Sequence, residues 1–266
     1  MNITDTLIGF GKEFSKKLQK SAKIDAMQVH GSLMQGFSDN YSDVDTMIYC
    51  NSKLTIQEVK KLLKGLEYFE IVCNSNWPIR LDVKYKGVKI MLLFVETKWM
   101  MHDLKNYIHI LPMDYYMQRS AYVFLGNSKY YFDKLGVFKK SQKEIKKSIL
   151  EKFKMNSYSL MKDLEYNFFL EKGAINIEIL RNNDLFVSNI FSESLVSIYS
   201  ILFALNNTFL MNKKWVYKYL PNFKVKPKLC LERLVEMAKI GNDKKTIDKK
   251  IGLFKEFIID LKKLLK

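Results

Sequence analysis

Asp43 and Asp45 stand at alternate positions of a short run whose other members include Val44, Met47, Ile48 and Tyr49. On a strand, side chains two apart share a face, so both carboxylates point the same way. At about 4 Å and an effective dielectric near 20, two such charges repel by roughly 4 kcal/mol. A fold that keeps them there sets a cation beside them, and a divalent metal is the usual one. Upstream, Gly31 and Ser32 follow the apolar Ala26, Met27 and Val29, and ten residues separate Ser32 from Asp43. Gly lets a backbone approach a phosphate closely, and Ser adds a hydroxyl donor beside the N–H groups of the turn. A loop rich in Gly36, Ser38, Asp39, Asn40 and Ser42 joins the two parts. The expected order is strand, phosphate turn, loop, and a strand carrying Asp-x-Asp.

In that order the segment VHGSLMQGFSDNYSDVDTMIYC resembles the signature of the nucleotidyltransferase superfamily, which includes DNA polymerase beta and the antibiotic nucleotidyltransferases. That signature is an apolar residue, Gly-Ser, a spacer of about this length, Asp-apolar-Asp/Glu and further apolar residues. In chain length and in GSLMQGFSDNYSDVD the chain is most similar to small two-domain enzymes of the lincosamide type. The resemblance implies that Asp43 and Asp45 hold two magnesium ions while Gly31 and Ser32 bind the triphosphate of an NTP, with ATP as the expected co-substrate. A nucleoside monophosphate would move to a hydroxyl of a small molecule, such as a lincosamide or aminoglycoside antibiotic. Acceptors of RNA or partner-protein type stay open, as does a degenerate member that binds nucleotide without turnover. A second, weaker likeness lies in LFALNNTFLMNKKWVYKYLP, similar to a segment in the helical domains of small nucleotidyltransferases. It implies that Lys214 reaches the triphosphate. The alternative is a solvated Lys at a helix end with Trp215 in the core.

Transfer of this kind normally uses a third carboxylate, to share a metal or to take the proton of the attacking hydroxyl. In the family it lies on the second strand of a following hairpin, a place that falls here at Met91, in KIMLLF. Met neither binds magnesium usefully nor accepts a proton. With Lys86-Gly87 as the hairpin turn, Tyr85 faces Val88, Lys84 faces Lys89, Val83 faces Ile90 and Asp82 faces Met91. Directly opposed residues project to one face. Asp82 can therefore bring a carboxylate to nearly the same place; Glu96, at the end of the second strand, is the fallback, although five positions from Met91 it points to the other face of a regular strand. An ion pair of Asp82 with Arg80 or Lys84 is the competing expectation.

The elements that must position these groups read as α+β: a mixed sheet with flanking helices over residues 1–137, then a helical bundle over 138–266. Ile3, Leu7, Phe10, Phe14 and Leu18 predict an amphipathic helix over 3–23. Strands are predicted at 26–30, 43–50 and 68–73 and in IRLDVKY and VKIMLLFVE. A helix opens at Thr55, with Glu58 completing a capping box. Helical patterns follow at 141–171, 175–182, 186–211, 228–240 and 244–265, with Pro221 and Pro227 bracketing a loop.

The net charge of +16 invites a nucleic-acid partner, but only Arg80, Arg119, Arg181 and Arg233 are Arg among 44 basic residues. Specific phosphate recognition favours Arg, so a basic solvated surface competes with that reading. A polycationic aminoglycoside would want an acidic pocket, which such a charge does not advertise. Cys50, Cys73 and Cys230 lie far apart in apolar runs, with only His30, His102 and His109 to join them. That pattern fits reduced thiols in a cytoplasmic protein better than zinc or disulfides. Polar interruptions in 188–211 mark a buried bundle helix rather than a membrane span. A homodimer stays open.

Overall fold

The computed structural model describes residues 3–34, 36–37, 39, 42–64, 67–70, 78–102, 128–208, 210, 213–243 and 245–265. The first helix, α1 (Ile3–Gln19), is followed by β1 (Ile24–His30), β2 (Val44–Cys50), α2 (Ile56–Leu62) and β3 (Glu67–Glu70). The hairpin β4 (Ile79–Tyr85) and β5 (Val88–Glu96) comes next, then β6 (Lys129–Asp133). Six strands form one sheet in the order β3-β4-β5-β2-β1-β6. It is mixed: β2 and β5 run parallel, and the other neighbours are antiparallel. The class is α+β, with helices flanking the sheet and a helical bundle following it.

Alternation along the strands sorts the sheet into two faces. Phe10, Phe14 and Leu18, one helical turn apart on α1, and Val59 and Leu63 beside α2 cover the first face, burying Met27, Ile48, Leu81, Ile90, Leu92 and Phe94. Each such side chain contributes about 1.5–3 kcal/mol through removal from water. The capping box is present: the Thr55 hydroxyl accepts from Glu58 N–H, and the Glu58 carboxylate accepts from Thr55 N–H at 2.8 Å. The second face carries Asp45, Met47 and Tyr49 of β2. Tyr49 donates to Gln28 Oε1 at 2.5 Å and stacks on Phe138, ring centroids 4.1 Å apart.

Strand β6 is not anticipated by the sequence reading, and it pairs with β1, so that β1 is an interior strand. The strand expected at 68–73 is seen as Glu67–Glu70, and the rest of it, Cys73 included, lies outside the described residues. Cys50 and Cys230 are buried and unpaired.

Among the described residues the chain forms two compact units, the first ending at Lys147 and the second running from Ser148. The helix α3 (Val137–Phe169) is continuous through that point. The second unit is all helical: the rest of α3, then α4 (Ala174–Leu180), α5 (Asp184–Leu205), the short α6 (Val216–Tyr219), α7 (Cys230–Lys239) and α8 (Ile247–Leu264). At its centre Phe168 stacks on Phe254 at 4.9 Å, with Phe191 5.2 Å from Phe254. Helix α5 is long and apolar enough to cross a membrane, yet Val187, Ile190, Phe191, Ile198, Ile201 and Phe203 are buried in the core of this unit.

Candidate functional site

Asp45 belongs to β2 between two neighbours that place it in a lateral row. Antiparallel pairing sets His30 of β1 opposite Asp45, and parallel pairing sets Met91 of β5 opposite its other side. Beyond Met91 comes Asp82 of β4, through the hairpin register expected from Lys86-Gly87. All four residues therefore project to one face, in the order Asp82, Met91, Asp45, His30. Asp43, exposed and one residue before β2 begins, comes opposite Lys89 by the same register.

The turn after β1 meets this row directly. Gly31 has φ of +89°, and a Cβ built on it would lie 2.5 Å from Asp45 Oδ2. The carboxylate rests in the space a side chain would fill, which explains a glycine here on two counts, conformation and close approach. Ser32 is half-buried, and its carbonyl accepts from Phe37 N–H at 3.0 Å, which closes the turn. Gly31, Ser32, Asp43 and Asp45 are thus gathered at the ends of adjacent strands.

Asp82 is differently occupied. Its side chain is 2% exposed and pairs with Lys89 Nζ at 2.8 Å and with Arg80 Nε at 3.3 Å. The ion pair with Arg80 is as the competing expectation had it, and the second partner is Lys89 rather than Lys84. Lys84 stands directly opposite Lys89, whereas Lys89 reaches Asp82 on the diagonal, well within the span of a lysine side chain. Burial pushes the Asp82 carboxyl upward, but the hydrogen bonds from Lys89 and Arg80 win and hold it below the ordinary carboxylate range. Lys89 is raised in turn, first by its bond to Asp82 and further by the charge of Asp43. In this structure the cation beside Asp43 is a lysine. Met91 keeps Asp82 two strands from Asp45, about 10 Å at ordinary strand spacing. Glu96 is paired with Lys98 at 3.3 Å and stands opposite Cys50, at the end of β2 remote from Asp43.

His30 is a residue whose place the sequence reading missed. It is buried, its Nε2 has no hydrogen-bond partner, and burial lowers its pKa to about 4, so the ring is neutral at pH 7. Its position immediately before Gly31 was the available signal. Lys214 belongs to the second unit, on the 3₁₀ turn Lys213–Trp215, with its Nζ 5.1 Å from the Trp215 ring centroid. Trp215 is half-buried there rather than a core residue.

Two hard carboxylates suit magnesium. Among the described residues no group of three His, Cys, Asp or Glu gathers closely enough to hold a metal. Magnesium is commonly held by one or two carboxylates together with substrate phosphates, so the donor set fits an ion that arrives with a nucleotide.

No protein-family model matches the chain. No curated protein matches it either. Among solved structures the chain is similar to a nucleotidyltransferase-like protein from Exiguobacterium sibiricum, at 8% identity and a TM-score of 0.43, over 99% of this chain and 74% of that one.

Proposed function

We propose that this chain is a magnesium-dependent nucleotidyltransferase, moving a nucleoside monophosphate from an NTP to a hydroxyl. One observation supports the reading: the Asp45 carboxylate lies directly against Gly31 of the turn that follows β1, as a site shared by the acidic pair and a phosphate-gripping turn would require. Asp43 and Asp45 would hold the metal, which when bound neutralises charge on the phosphates and the leaving group. Gly31 and Ser32 would grip the outer phosphates through backbone N–H groups and the Ser hydroxyl. The acceptor oxygen forms a bond to the α-phosphorus, the bond from that phosphorus to the bridging oxygen breaks, and pyrophosphate leaves with the electron pair. The hydroxyl proton passes to solvent, because Asp82, doubly paired and held at low pKa, is a weak base. What the protein contributes is position and charge rather than covalent chemistry.

The test is incubation of the full chain with magnesium, each ribonucleoside triphosphate and a panel of hydroxyl acceptors. The expected result is pyrophosphate release with a nucleoside-monophosphate mass gain on one acceptor, abolished in Asp45→Asn. Nucleotide binding that ignores magnesium and survives both Asp43→Asn and Asp45→Asn would end the proposal.

A further inference from the structure

Displacement at phosphorus runs in line, so the incoming hydroxyl must lie opposite the departing pyrophosphate. If the outer phosphates rest at the turn after β1, sheet order decides where the acceptor stands. Strand β1 flanks β2 on one side, and β5 followed by β4 flanks it on the other. The acceptor then approaches over β5 and β4.

That flank has a definite charge. On the Asp45 face β5 presents Lys89 and Met91, and β4 presents Arg80, Asp82 and Lys84. Asp82 is buried and already neutralised by Lys89 and Arg80, whose own side chains are 43% and 49% exposed. It cannot also serve as the counter-charge of a cationic acceptor without giving up a pair that its burial demands. Met91, which stands between Asp45 and Asp82 in the row, carries no charge to repel an anion from this approach. Among the described residues of β4 and β5, Asp82 is the one carboxylate on this face. Lys89 is one strand spacing from β2, about 5 Å.

We infer that the acceptor carries a phosphate group near its reacting hydroxyl, bound by Lys89 and Arg80 with Asp82 as the anchor that holds both cations in place. The inference rests on the transferase reading and narrows it: a polycationic aminoglycoside is the wrong substrate for this face.

The experiment separates the two claims. The full chain is first titrated with magnesium and an α,β-methylene ATP analogue. No magnesium-dependent binding at this step overturns both, since the inference stands on the reading above. The loaded protein is then titrated in 0.15 M salt with a ribonucleoside 5′-monophosphate, a sugar phosphate, the dephosphorylated form of each, and kanamycin. At least one phosphorylated probe should bind tenfold or more tightly than its dephosphorylated form, and which of the two does so identifies the source of the phosphate. Arg80→Gln and Lys89→Gln should each remove most of that preference, and Lys89→Arg should keep it. Should Lys89→Gln fail to fold, Arg80→Gln carries the test. Equal binding of phosphorylated and dephosphorylated probes, tighter binding of kanamycin, or a preference indifferent to Arg80→Gln would overturn the inference and leave the transferase reading standing.

Discussion

At the scale of single residues the site is organised by what touches the Asp45 carboxylate. Gly31→Ala would place a methyl 2.5 Å from Asp45 Oδ2 at a φ of +89°. The left-handed backbone alone costs about 1–2 kcal/mol for a side-chain-bearing residue. The carboxylate must also move. The variant should therefore lose magnesium-dependent nucleotide binding by more than its modest loss of stability explains, as titration of the folded protein would reveal; unaltered affinity would mean that the contact is incidental. His30 supplies a pH dependence. Its pKa falls from 6.5 unfolded to about 4 in the folded chain, because burial disfavours the imidazolium. Between those values the unfolded state binds more protons, so stability is full above pH 6.5 and declines as pH falls toward 4. The loss is on the order of 3 kcal/mol. Urea melts across that range should show the decline in the wild type and a flatter profile in His30→Gln. The sequence offered Gly31, Ser32, Asp43 and Asp45 because they form a local pattern. It hid the state of His30, because burial of a single ring depends on tertiary packing that no local pattern specifies.

At the scale of elements the β4–β5 hairpin positions both Asp82 and Lys89. Lys86 and Gly87 have φ of +47° and +83°, a two-residue turn with both central residues left-handed, whose twist matches the flanking strands. Such a turn fixes register locally, which is why each facing pair from Tyr85 with Val88 to Asp82 with Met91 was readable from the sequence. Nothing lies within 4 Å of a Cβ built at Gly87, so substitution there costs backbone conformation alone. Gly87→Val should destabilise by about 1–2 kcal/mol, and Gly87→Asn by clearly less, since Asn tolerates the left-handed region. Equal losses in chemical denaturation would mean that contacts rather than conformation set the requirement. Long-range pairing was not readable in the same way. The parallel contact of β2 with β5 and the docking of Lys129–Asp133 on β1 join segments far apart in the chain, and no local turn geometry specifies them.

At the scale of the whole molecule the dominant quantity is charge. With 44 basic and 28 acidic residues the chain repels itself, and screening should relieve that. Raising salt from 0.01 to 0.1 M shortens the Debye length from about 30 to about 10 Å, so the melting temperature should rise over this interval. The same surplus will attract any polyanion, ATP included, without regard to the site. Two properties separate the specific event. Diffuse binding fades with salt and needs no metal, whereas a nucleotide held as proposed, by Asp43, Asp45 and the Gly31 turn, would require magnesium and act on the folded state alone. At a hundred times its dissociation constant such a ligand stabilises by about 2.7 kcal/mol. In 0.5 M salt, ATP with magnesium should raise the melting temperature of the wild type, while ATP with chelator, or with Asp45→Asn, should leave it in place. A rise of the same size without magnesium would assign the nucleotide to the lysine surface rather than to the acidic pair.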